Sequence, residues 1–180
     1  MYCDGYFDEK RYSFLCNGSQ GHSVPIINHS LQADGKSHYS TIKDVVITND
    51  VDTFELDMTK AYLVPTLQEL TRKFVWKKNA NKELILSDSY LFIETPESII
   101  ERFIIPFIHI TEDHDGIVLG NDQQLKILFD RNKLALNICE NEFVNHFGEK
   151  EKVWVVDFTV IKPMKMCSLK VRFKFLDRLS

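Results

Sequence analysis

A chain of 180 residues with 44% hydrophobic and 12% aromatic side chains has enough apolar surface for one substantial core, which excludes intrinsic disorder and sets a single domain over residues 1–180. Its 22 basic and 26 acidic side chains leave a net charge of −4 and are spread along the chain, so nucleic acid and anionic membrane are not expected partners. Cys3, Cys16, Cys139 and Cys167 stand far apart with no Cys-x-x-Cys pair, which argues against a zinc knuckle or redox pair and for reduced, buried thiols.

The first eight residues, Met-Tyr-Cys-Asp-Gly-Tyr-Phe-Asp, lack a basic region followed by an apolar run, and no later stretch has the apolar length of a membrane span. The expectation is a cytoplasmic protein. Next comes the stretch 11–28, where the chemistry concentrates. Tyr12, Phe14 and Cys16 alternate with Arg11, Ser13 and Leu15, and Val24, Ile26 and Ile27 form a second apolar run, which predicts two short strands around a polar corner at 17–21. His22 follows Gly21 directly, a position from which an imidazole can face a ligand or metal, or be held structurally by hydrogen bonds.

Beyond residue 40 the dominant period is two. Phe54, Leu56 and Met58, then Leu125, Ile127 and Phe129, then Leu169, Val171, Phe173 and Phe175 predict half-buried strands. Residues 84–93, 99–110 and 153–161 are apolar on both faces and suit strands between two layers. Turn residues at Asn79-Ala80-Asn81, Gly120-Asn121-Asp122, Arg131-Asn132 and Gly148 recur with the rhythm of antiparallel sheets. Residues 58–70 have room for a turn or two of helix, interrupted by Pro65. The predicted fold is all-β, one antiparallel β-sandwich with very little helix.

Tyr6-Phe7, Arg11-Tyr12, the run Gly21-His22-Ser23-Val24-Pro25-Ile26-Ile27-Asn28 and Gln32 together resemble the C-terminal sheet domain of heparinase II/III-like proteins. So do Asp57, Ala61-Tyr62, Leu67, Leu70, Arg72, Phe74-Val75-Trp76 and Leu84-Ile85-Leu86-Ser87-Asp88. The resemblance implies a polysaccharide lyase architecture in which an α/α toroid precedes layered sheets and uronic-acid polysaccharide lies between them. Such enzymes work by β-elimination: a base takes the proton beside the uronate carboxyl and an acid, commonly Tyr, protonates the leaving oxygen. The toroid has no counterpart among these 180 residues, so the expectation is a sheet domain or fragment, catalytically incomplete alone, whose partners are an acidic polysaccharide and a separate toroid. The alternative is a non-catalytic module binding carbohydrate or protein.

By the same resemblance, His22 matches a position that helps hold zinc in some members, with ligands from earlier sequence. One imidazole does not hold zinc tightly, so no cofactor is expected for this chain, although zinc belongs to fuller relatives. Arg11, Tyr12, Gln20, His22 and Arg72 are the candidate substrate-binding residues, with His22 the candidate ligand of an incomplete metal site and no residue assigned a catalytic role. Three structural alternatives stand beside these. Arg72 pairs with a carboxylate such as Asp57 or Asp88; His29, standing where the family more usually has Gly, and His38 fall in a polar loop and are expected to be solvated rather than to join His22 around a metal; and Asp113-His114-Asp115 is a solvated turn. Trp76, Trp154, Tyr62 and Tyr90 either stack on sugar rings or fill the core.

Overall fold

The structure is a computed structural model that describes residues 7–79, 82–121, 124–145 and 147–176. Cys3, Tyr6, Ala80, Asn81 and Asp122 lie outside the described residues, so the expectations resting on them are left there. The described chain is an antiparallel sandwich. One sheet has four strands in the order β1 (Pro25–Ile27), β6 (Ile99–Pro106), β11 (Lys150–Val160) and β10 (Leu134–Val144). The other has eight: β2 (Thr41–Ile47), β3 (Val51–Asp57), β4 (Leu67–Lys77), β5 (Glu83–Phe92), β12 (Met166–Leu176), β9 (Gln124–Phe129), β8 (Gly116–Leu119) and β7 (Ile110–Glu112). Helix among the described residues is limited to three short 3-10 turns, Glu9–Ser13, Ser19–Gly21 and Thr59–Ala61. None is long and apolar enough to cross a membrane.

Register sets which side chains meet the core. Across the large sheet Phe54, Phe74, Leu86, Val171 and Phe129 fall in one cross-strand row on the inner face. Against it the small sheet brings Ile99, Phe103, Ile105, Val156 and Phe158, all buried. The layers interlock through aromatic rings: the Phe103 centroid is 5.4 Å from Phe173 and that of Phe158 is 4.7 Å from Phe129. The predicted 54–58, 84–93, 125–129, 153–161 and 169–175 strands all correspond to strands, and β2, β8 and β10 join them. The 99–110 run divides. Pro106 ends β6, an Ile108 N–H to Pro106 O bond reverses the chain, and β7 joins the opposite sheet.

Two expectations fail here. Residues 12–16 are not a strand, because Asp8 caps a 3-10 turn and the Gln20 amide donates to the carbonyls of Tyr12 and Phe14, leaving their backbone bonded to a side chain. Nor are the described thiols all buried: Cys16 lies on this arm and Cys139 on edge strand β10, both exposed, with only Cys167 half-buried against the core. The arm covers the outer face of the small sheet. Ile26, Val155 and Asp157 alternate away from the core, yet each is buried.

Candidate functional site

Strand β1 pairs with only Ile99 to Glu101 of β6. Past that point the β6 edge is open, and the Ile104 N–H donates to Ser23 Oγ at 3.1 Å. The arm therefore crosses from the outer face to the inner one between Gln20 and Ser23. Outside, Arg102 donates to Gln20 O at 3.2 Å while gripping Asp157 through Nε and Nη2 at 2.8 and 2.7 Å. Inside, Ser23 O accepts from Arg72 Nη1 at 2.9 Å. The corner needs its glycines: a Cβ on Gly21 would lie 1.8 Å from Leu15 O, and one on Gly18 would lie 2.0 Å from Gln20 Oε1.

His22 stands exposed on this crossing, between two bonded residues. Arg11 and Tyr12 are also exposed, with the guanidinium 5.6 Å from the ring centroid. Gln20 is half-buried and its amide N–H groups are spent on the arm's own carbonyls, so it positions the backbone. Arg72 is the one predicted site residue turned wholly inward, 3% exposed.

Arg72 lies on β4 at the centre of a buried charged cluster that joins the sheets. Its Nε donates to both Asp88 oxygens at 2.9 and 3.0 Å, and its Nη2 donates to Asp88 Oδ2 at 2.5 Å and to Glu101 Oε2 at 2.9 Å. Asp88 belongs to the large sheet and Glu101 to the small one, so one guanidinium ties both layers and the arm. Of the two carboxylates suggested for Arg72, Asp88 is the partner. Asp57 instead accepts from Thr59 N.

Two carboxylates against one guanidinium leave negative charge in excess. Burial, then the nearby Asp88 charge, push the Glu101 carboxyl well above the usual carboxylate range, against the pull of Arg72. Glu101 is thereby held toward its protonated form, and Tyr90 donates to its Oε1 at 2.5 Å. Burial likewise raises the Tyr90 and Tyr62 hydroxyls; the Tyr62 O–H donates to Pro25 O at 2.7 Å, anchoring β1. Neither tyrosine faces solvent. Glu101 was missed in the sequence, where its signal is a carboxylate in the inward phase of an Ile-rich strand.

The three histidines do not meet. His29 sits 3.4 Å from Glu97, His38 Nδ1 lies 2.5 Å from Asp34 O, and neither joins His22 in a group of converging ligands among the described residues. The group that does converge is Asp113, His114 and Asp115. Its two carboxylates already share a cation: Lys126 Nζ lies 2.7 Å from Asp113 Oδ2 and 2.5 Å from Asp115 Oδ1, and that ammonium holds the Asp113 carboxyl well below its usual range. A zinc ion thus finds one exposed imidazole at His22 and, at 113–115, two carboxylates already paired with Lys126, so the described residues do not fit one. Beside Ser23 a cavity of about 350 Å³ opens between the sheets, lined by Phe103, Ile105, Leu125, Ile127 and Phe173, an apolar slot unsuited to a hydroxyl-rich sugar.

No family model matches the sequence, and no curated protein does. Solved structures do match by shape. A heparan sulfate lyase, HepC, from Pedobacter heparinus superposes with a TM-score of 0.73 at 13% identity over 91% of this chain and 25% of that one. A heparinase III gene product gives 0.68 at 10% identity over 88% and 24%, and another heparinase III structure 0.67 at 10% over 98% and 26%. The chain spans about a quarter of the length of these structures. Identity this low speaks to fold and not to chemistry. In fold, the chain is similar to the β-domain of these heparinase structures, the one part of them that it covers.

Proposed function

We propose that this domain works as the sheet half of a lyase that cleaves uronic-acid polysaccharide by β-elimination, with its reacting groups completed by a separate helical toroid. The observation that carries this reading is the shared fold over nine-tenths of the chain and a quarter of the enzymes. β-Elimination needs a base near the C5 proton, an acid at the leaving oxygen and a cation on the uronate carboxyl. Among the described residues His22 is exposed, while Arg72, Tyr62 and Tyr90 are sealed between the sheets. The domain offers one wall of a cleft.

Proximity and orientation supply up to ~7–11 kcal/mol of such a barrier, so the isolated chain releases no unsaturated uronate from heparin, heparan sulfate or alginate. Ultraviolet absorbance of the unsaturated product at high protein concentration tests this. Turnover that persists in the pure chain and disappears in His22→Ala would make it a lyase in its own right. Metal analysis after dialysis is expected to find no stoichiometric zinc, because a lone exposed imidazole binds too weakly; one zinc per chain, lost in His22→Ala, overturns that part. Polysaccharide binding with no product when a toroid is added favours the non-catalytic module instead.

A further inference from the structure

The outer face of the eight-stranded sheet is basic at its centre. On β4 and β12 the side chains opposite the core include Lys73, Lys77, Lys170, Arg172 and Lys174, against the acidic Glu55 on β3, Glu69 on β4 and Glu83 on β5. Register lines them up: Lys73, Ser87 and Lys170 share one cross-strand row, and Lys77, Glu83, Lys174 and Lys126 share another. Glu83 is consumed locally, accepting from Lys77 Nζ at 2.9 Å and from Arg172 Nε at 2.7 Å, and Glu55 lies 3.4 Å from Lys73 Nζ. Lys170 is exposed, and neither it nor Lys174 has an ion-pair partner among the described residues. A chain of net charge −4 thus keeps a positive strip on one face.

We propose that this strip is the docking surface for a linear anionic polysaccharide, carboxylated or sulfated, lying across β4, β5 and β12. It rests on the reading of the domain as part of a polysaccharide lyase. Lys170 and Lys174 project from the same face of β12 roughly 13 Å from one another, a spacing of unpaired cations suited to an extended chain with regularly spaced anions, whereas Lys73 in the row of Lys170 is shared with Glu55 at 3.4 Å. A row of hydroxyls from Thr71, Ser89 and Ser168 runs beside the lysines, with Ser89 Oγ and Ser168 Oγ 3.4 Å apart, and can exchange hydrogen bonds with sugar hydroxyls. No aromatic side chain occupies an outward position on these three strands, which removes the stacking platform of a single-stranded nucleic acid site.

The test titrates heparin and alginate, with duplex DNA of matched length as control, into wild type and variants at low and raised salt. Lys170→Glu with Lys174→Glu is expected to weaken heparin binding at least about tenfold and to flatten its salt dependence. The uncharged pair Lys170→Gln with Lys174→Gln, less disruptive to folding, is expected to do so in smaller degree. Lys150→Glu with Lys152→Glu changes the net charge equally on β11 and leaves affinity unchanged. Equal loss in that pair, or duplex DNA binding as tightly through the same lysines, overturns the proposal. So does wild-type affinity in the face variants with loss in Arg11→Ala or His22→Ala. If wild type binds neither polysaccharide, the lyase reading itself loses its substrate, an outcome distinct from binding that merely ignores Lys170 and Lys174.

Discussion

Two glutamates on opposite sides of the sandwich show what water decides. Glu101 is fully buried between the layers and shares Arg72 with Asp88; Glu83 lies under side chains on the outer face and receives bonds from both Lys77 and Arg172. The first site has two carboxylates for one cation, the second two cations for one carboxylate. Burial and Asp88 raise the Glu101 pKa, whereas the Lys77 and Arg172 hydrogen bonds overcome the smaller desolvation at Glu83 and lower it. The inner cluster fixes layers in place at a cost in charge. The outer one leaves Lys170 and Lys174 without an ion pair among the described residues.

Removing the inner cation has the largest expected effect. Arg72→Met strands Asp88 and leaves Ser23 O without its donor, and breaking such a buried cluster costs about 3–5 kcal/mol. Denaturant unfolding measures this, and an unfolding midpoint equal to that of wild type would mean that the cluster is not what joins the sheets. Trypsin cutting after Arg11 is expected to speed up in the same variant, because the arm loses its inner tether.

The two glutamates should then give pH slopes of opposite sign. With a raised folded pKa, Glu101 contributes stability that is fully present below its ordinary value near 4.5 and is lost as pH rises toward the folded value. Glu101→Gln, which keeps an acceptor for Tyr90, is expected to remove that decline, so its stability relative to wild type grows with pH. With a lowered folded pKa, Glu83 contributes stability present above about 4.5 and lost as pH falls through the folded value. Glu83→Gln costs about 1 kcal/mol at neutral pH and nothing in strong acid. Melting curves of both variants from acid to mildly alkaline pH decide it, and slopes of the same sign would erase the distinction between the faces.

The smallest change is expected at His29, outside either cluster. Its φ of 61° follows Asn28 at 49°, and its contact with Glu97 is exposed on both sides. His29→Gly relieves a left-handed conformation that Gly adopts freely and should stabilise by up to about 1 kcal/mol. A loss of stability would instead assign His29 a contact worth more than the strain.

Period-two alternation at 54–58, 125–129 and 169–175 determined strands without help, because a half-buried sheet demands that pattern wherever it sits. The same alternation at 12–16 misled, since a pattern does not supply a neighbouring strand, and here the Gln20 amide took the carbonyls first. The resemblance in the His22 and Arg72 segments led to the right fold, and Asp88 was among the partners suggested for Arg72. Glu101 lay unrecognised, because nothing in Ile-Ile-Glu-Arg-Phe says whether the glutamate meets water or an arginine from another sheet. The basic strip was equally invisible: Lys73 and Lys170 are distant along the chain, and only the pairing of β4, β5 and β12 gathers charges that the sequence spreads. Local patterns fix what a strand is, whereas electrostatics depends on distance and dielectric, which are properties of the folded molecule.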